Sequence, residues 1–183
     1  EVGWRNLTNS RKPVSTAADI RGLKIRTTPN PAHVKAFQLL GAVPTPMAFT
    51  ELFNALEQKT VDGQENPVTL ILNAKFFEVQ KHLSLTRHAF TSAPLVMNNT
   101  KFNALAPDLR DVLTSTAIEM AAIQRKMNED AEGSSLDALK KAGMQAVEAP
   151  DRASFSRIVT EEVRKEFVGR YGSDVLDAIL KAA

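Results

Sequence analysis

Apolar and polar positions alternate in short bursts through the first half of the chain. Leu23-Lys24-Ile25-Arg26-Thr27 has the period of two expected of a strand. Pro29 and Pro31 end it, and residues 32–40 carry helical spacing up to a stop at Gly41. Residues 42–46 read as another short strand. Residues 50–58 place Leu52, Ala55 and Leu56 on one face of a helix. Val61-Asp62-Gly63 turns into a further short strand or loop, 69–78 reads as helix, and 82–86 and 94–98 read as strands. Upstream, residues 1–14 read as an extended entry segment. Thr16-Ala17-Ala18-Asp19 is a helical turn with Thr16 as N-cap, stopped by Gly22. The alternation predicts an α/β domain with a largely parallel sheet.

The second half changes character. From residue 107 to about 142 the sequence favours helix throughout. Leu109, Val112, Leu113, Ala117, Met120, Ala121, Ile123, Gln124 and Met127 form an apolar stripe, expected to be core. Some 35 residues of helix extend about 50 Å, so this element must brace two lobes or bend, with Gly133 the expected bend. Gly143 closes it, 144–147 is a short strand, and 151–168 and 173–182 are closing helices. Arg164-Lys165-Glu166 is a solvated face.

Composition narrows the classes. With 183 residues and 43% hydrophobic content, the chain can bury a core. The net charge is +2 with basic and acidic residues interspersed, which argues against nucleic-acid binding. No apolar run approaches the roughly 20 residues of a membrane span. Cysteine is absent, which excludes a thiol nucleophile, thiolate metal sites and disulfides, and fits an oxidising compartment such as a periplasm. The first residue is Glu1 and the first Met is Met47, so the native start and any signal peptide are expected to lie outside the chain.

The candidate chemistry gathers between residues 41 and 67. A Pro-punctuated apolar run leads into the helix of 50–58, and the turn after it delivers Gln64, Glu65 and Asn66 ahead of Pro67. Prolines fix the backbone on both sides, a rigid frame that suits a small-molecule site. Arg26, at a strand end beside a Pro-containing loop, lies where open α/β sheets bind ligands. Its planar fork matches a carboxylate. An enzyme using Asp62, Glu65 or His88 as acid and base is a rival, but there is no nucleophile elbow, phosphate loop or HExxH.

Five pieces, in order and spacing, resemble one known family: Gly3-Trp4-Arg5, residues 19–26 (Asp-Ile-Arg-Gly-Leu-Lys-Ile-Arg), 44–52 (Pro-Thr-Pro-Met-Ala-Phe-Thr-Glu-Leu), 61–67 (Val-Asp-Gly-Gln-Glu-Asn-Pro) and 75–81 (Lys-Phe-Phe-Glu-Val-Gln-Lys). They look like the DctP-like solute-binding proteins of tripartite ATP-independent periplasmic (TRAP) transporters. The likeness is specific from Gly3 to His88 and looser from Pro107 onward. It departs at Thr27-Thr28, where many members have Val-Pro, and at Phe77, where Tyr is common.

The resemblance implies a periplasmic-binding-protein-like α/β fold of two lobes joined by crossing strands and a long bracing helix, with ligand in the cleft. Residues 1–91 would be the α/β core of one lobe and 92–132 a segment of the other, including the start of the long helix. Residues 133–183 would return to the first of these. Most of the other lobe, supplied by the N-terminal portion of a full-length member, would be absent, and exposed apolar surface could drive self-association. The resemblance assigns ligand contact to Arg26, which clamps the carboxylate, and to Arg5, Asn66 and Phe49. Asn66 could instead make an Asx turn and Phe49 could be core. Glu65 and Gln64 would orient Arg26 or Asn66, His88 could face the hinge, and Trp4 could stack on ligand or fill the lobe junction. The implied activity is capture of a small organic acid in the periplasm for a TRAP-type permease, without catalysis, cofactor or metal. A sensor sharing the fold is the alternative.

Overall fold

The computed structural model describes residues 1–182. Six strands form one sheet: β1 (Gly3–Asn9), β2 (Lys24–Thr27), β3 (Val43–Pro46), β4 (Gly63–Asn66), β5 (His82–Thr91) and β6 (Gln145–Val147), in the order β3-β2-β4-β1-β5-β6. The pairings β2–β3, β2–β4 and β5–β6 are parallel, whereas β1 runs antiparallel to both β4 and β5. The sheet is therefore largely parallel, with one reversed strand inside it.

That reversed strand corrects the expected entry segment. β1 is buried along almost its whole length, and its polar residues Asn6, Thr8 and Asn9 are buried with the rest. A strand covered on both faces loses the alternating pattern that reveals strands in sequence. Two other expectations change. The helix over 69–78 is split into α3 (Val68–Asn73) and a 3-10 turn (Phe76–Glu78) by Lys75, whose φ is 54°. Residues 94–98 form no strand; β5 continues to Thr91, and Leu95, Val96 and Met97 then lie exposed. Pro94 lacks the N–H a ladder needs, and no described strand runs beside it.

Local chemistry sets the helices. α1 (Pro31–Leu39) starts with Pro31 in its first turn, and the Asn30 side chain accepts from the Ala32 N–H. A 3-10 turn (Phe49–Glu51) leads into α2 (Leu52–Glu57). Thr16 and Asp19 make the reciprocal capping box of the turn Ala17–Ile20. The crossover through α1 runs outward from β2 to β3, and the one through α2 returns over β2 to β4. With a common right hand these helices cover opposite faces. Leu7, Ile25 and Phe37 pack with Phe155 of α6 (Arg152–Tyr171) in one apolar cluster. Leu56, Ile71, Phe76 and Leu83 pack in the other with Leu139 of α5 (Pro107–Lys141). α4 (Asn99–Asn103) precedes α5, and α7 (Asp174–Ala182) follows α6.

α5 runs uninterrupted through Gly133, the expected bend. Its apolar stripe is not core among the described residues. Ser135 and Leu139 are the buried positions of α5, while Leu109, Val112, Leu113, Met120, Ile123 and Met127 are exposed. Leu136 and Leu139 near its end pack into the core, and Gln124, Asn128 and Glu132 bond Glu1, Val2 and Arg87, while the apolar stripe stays outside the core. No described helix is long and apolar enough to cross a membrane.

Candidate functional site

Because β1 runs against its neighbours, its first residues lie at the carboxyl ends of β4 and β5. Arg5 thus pairs with Glu65 and Asn66 at the end of β4 and with Thr91 at the end of β5. His88 of β5 reaches the same Glu65 carboxylate, and Arg26 at the end of β2 lies near enough to feel the charges of Arg5 and Glu65. This is the edge where open α/β sheets place ligands.

Glu65 is the hub. It is fully buried, and it is held by Arg5, whose Nε donates to Oε2 while Nη2 donates to Oε1 at 2.9 Å. His88 Nε2 lies 3.1 Å from Oε2, and its Nδ1 is 2.8 Å from Thr86 Oγ1. His33, in the first turn of α1, places Nδ1 3.7 Å from Oε1 and 3.1 Å from Thr28 Oγ1. Burial by itself raises the Glu65 carboxyl. Hydrogen bonding to His33, His88 and Arg5 and the charge of His88 outweigh it, and the carboxyl titrates well below the ordinary 4.5. Glu65 is therefore a buried carboxylate rather than a neutral acid poised for proton transfer.

Asn66 is fixed on both sides of its amide. Its Oδ1 accepts from Arg5 Nη2 at 3.1 Å and its Nδ2 donates to Gln64 Oε1. Gln64 Nε2 donates to Thr8 Oγ1 at 2.9 Å, and Thr8 Oγ1 donates to Gln80 Oε1 at 2.9 Å. This chain of side chains orients the Asn66 amide from the interior. Asn66 keeps one N–H on Nδ2 beyond the bond to Gln64.

Arg26 is only 2% exposed. Its Nε and Nη2 donate to the Met47 carbonyl at 3.1 and 2.8 Å, and its Nη1 is buried with no protein partner. Burial pushes its guanidinium down from the usual value, the Glu65 charge opposes that, and the Arg5 charge adds to it. The roles expected of the amide and carboxyl cluster thus divide differently. Glu65 holds Arg5, Gln64 holds Asn66, and the Pro-framed loop after β3 holds Arg26 through a backbone carbonyl.

Phe49 rests on Phe76, ring centroids 5.8 Å apart, yet remains 43% exposed, so one side of its ring is free. Trp4 is equally exposed and meets Phe90 edge-on at 5.3 Å. His33, Thr28 and the Met47 carbonyl were not anticipated. For His33 a signal existed: it lies one turn past a Pro-bounded strand end, facing the same edge as Arg26.

The pattern of the bacterial extracellular solute-binding proteins, family 7 (DctP), matches residues 1–169. The chain belongs to this family. Among relatives, it is 44% identical over 181 residues to the 2,3-diketo-L-gulonate-binding periplasmic protein YiaO of Escherichia coli (strain K12), spanning 98% of this chain and 55% of that protein. It superposes with a TM-score of 0.93 and 42% identity on a TRAP periplasmic solute-binding protein from Polaromonas sp. JS666 bound to D-erythronate, covering 98% of this chain and 59% of the other. The sugar acid binding protein DctPAm from Advenella mimigardefordensis in complex with galactonate gives a TM-score of 0.93 at 37% identity, over 100% of this chain and 59% of that one. The chain therefore spans little more than half the length of these relatives. Family 7 consists of solute-binding proteins, which are not enzymes, and its binding proteins are periplasmic.

Proposed function

We propose that this chain is the anion-gripping part of a periplasmic solute-binding protein that captures a small organic acid and delivers it to a TRAP-type membrane permease. The observation that carries this reading is Arg26 Nη1, a buried cationic donor without a protein partner. Buried polar groups are almost always paired, and a buried cation without a counter-charge is costly. Glu65 is already engaged by Arg5, so the pair of guanidiniums exceeds the one carboxylate by a positive charge. A ligand carboxylate accepting from Nη1 satisfies the donor and balances the charge. Asn66 Nδ2 and the free N–H of Arg5 Nη1 lie within the same cluster, and the open face of Phe49 offers apolar contact to the ligand body. An uncharged solute would leave Arg26 uncompensated, which gives selectivity for acids.

Calorimetry of the full-length protein against a panel of organic acids tests the proposal, with Arg26→Ala as control. Binding of at least one acid that is abolished or strongly weakened in the variant supports it. Undiminished affinity in the variant refutes it.

A further inference from the structure

We propose that Gln80 and Thr8 are positioning residues for solute capture, holding the Asn66 amide from the far end of the sheet as a hydrogen-bond donor to the bound acid; this rests on the acid-binding reading above. Side chains are joined in a row from Arg5 through Asn66, Gln64 and Thr8 to Gln80. Gln80 and Asp62 precede β5 and β4, so the row runs from the carboxyl ends of these strands to their amino ends. There Gln80 Nε2 donates to the carbonyls of Val79 at 3.0 Å and Asp62 at 3.4 Å. Thr8, Gln64, Asn66 and Gln80 are all buried, so bulk water does not compete for the links.

Both ends of the row dictate the same direction. A guanidinium only donates, so the Asn66 atom facing Arg5 Nη2 is the oxygen. The Asn66 nitrogen then faces Gln64, which turns its oxygen to Asn66 and its nitrogen to Thr8. Backbone carbonyls only accept, so the Gln80 atom beside Val79 and Asp62 is the nitrogen, and the Gln80 oxygen faces Thr8. The Thr8 hydroxyl therefore accepts from Gln64 and gives its single proton to Gln80. Each donor points away from the cationic end, and each bond polarises the next. Arg5 alone is a weak constraint on Asn66, because its Nη2 is shared with the carboxylate and the carbonyl of Glu65. Without the Thr8 hydroxyl, Gln64 loses the partner that fixes its amide, and Asn66 loses the acceptor that holds its nitrogen. A reversed Asn66 amide would set N–H groups against Arg5 and put an oxygen where a ligand carboxylate needs a donor.

The test is calorimetry on the full-length protein with D-erythronate, galactonate and succinate as probes, for Thr8→Val, Thr8→Ser and Gln80→Met, each alone and combined with Asn66→Ala. Thr8→Val keeps the shape and removes the hydroxyl. It should weaken the acids that bind about 10-fold on its own, but less than about 2-fold beside Asn66→Ala, where no amide is left to orient. Thr8→Ser restores the hydroxyl and should bind within about 2-fold of the wild type, whereas Gln80→Met should reproduce the loss of Thr8→Val. NMR of the wild type gives a readout that needs no variant to fold: on titration with acid, the side-chain amide signals of Gln64 and Gln80 should shift together with those of Asn66. Equal losses with and without Asn66→Ala, unchanged affinity in Thr8→Val, no rescue by Thr8→Ser, or a Gln80 amide that ignores the acid would each overturn the assignment while leaving acid binding intact. Failure of every acid to bind, or binding indifferent to Arg26→Ala, would remove the acid-binding reading and this inference together.

Discussion

Arg5 closes on Glu65 across the seam between β1 and β4, sixty residues away in sequence, with both side chains buried. Nε and Nη2 are committed to Glu65 and Asn66, and Nη1 to Thr91 Oγ1 at 3.1 Å. Only Nη1 keeps a donor to spare for a ligand. Arg5 is thus first a strut that holds Glu65 and Asn66 in place, whereas Arg26 keeps a buried Nη1 without a protein partner.

Removing one member of this pair strands the other. Glu65→Gln should destabilise the protein by about 3–5 kcal/mol, because Arg5 stays buried without its counter-charge. Replacing both, as Arg5→Met with Glu65→Leu, should cost less than the two single changes added together. Urea unfolding of the four proteins measures the coupling. Additive losses would show that the pair is not an energetic unit.

The same carboxylate sets an acid limit. Its folded pKa lies below the ordinary 4.5, so the unfolded chain takes up the proton first. The contribution of Glu65 to stability is therefore complete above about pH 4.5 and is lost as pH falls from there toward the depressed folded value. Denaturation midpoints across a pH series crossing 4.5 should fall steeply on the acid side in the wild type, and less steeply in Glu65→Gln. Parallel slopes in the two proteins would exclude Glu65 as the source.

Arg26 should behave in the opposite sense to Glu65. Arg26→Met removes a buried cation with an unpaired donor, so the ligand-free protein should be as stable as the wild type or gain about 1 kcal/mol. Acid affinity should fall by about 2–5 kcal/mol, roughly 30-fold or more. Thermal melts and calorimetry on the full-length protein separate the two effects. A lowered melting temperature with intact affinity would make Arg26 a structural residue.

How far the sequence reached depends on which residues carry the information. The strand around Ile25, the Pro-capped α1, the Gly41 stop and the length of α5 were legible because each rests on local period or local backbone chemistry. β1 was not, because Asn6, Thr8 and Asn9 are buried through side-chain partners that no period records. The split of the helix at Lys75 was hidden for a related reason, since a left-handed non-glycine residue leaves no compositional mark. At the site, Arg5, Arg26, Gln64, Glu65, Asn66 and His88 could be nominated as a set through motif likeness. Their pairing could not, because whether Glu65 meets Arg5 or Arg26 is decided by the direction of β1. His33 was passed over as an ordinary helix residue, although the end of β2 and the start of α1 necessarily border the same edge.

Two glycines make a final contrast that depends on packing alone. A Cβ at Gly63 would lie 2.2 Å from the Thr8 carbonyl oxygen and 2.8 Å from Asn9 Cβ, where β4 meets β1. The clash is with backbone in the middle of the sheet, so it is relieved only by parting the strands that hold Glu65 and Arg5. Gly63→Ala should cost about 1–3 kcal/mol or more and weaken ligand binding as well. A Cβ at Gly133 meets nothing within 4 Å, and the residue lies inside α5. Gly133→Ala should therefore stabilise by about 0.5–1 kcal/mol through the lower entropy of the unfolded chain, with ligand affinity unchanged. Urea midpoints that move in opposite directions for the two variants are the expected result. A destabilised Gly133→Ala would mean that this position must bend or meet a neighbour that residues 1–182 do not supply.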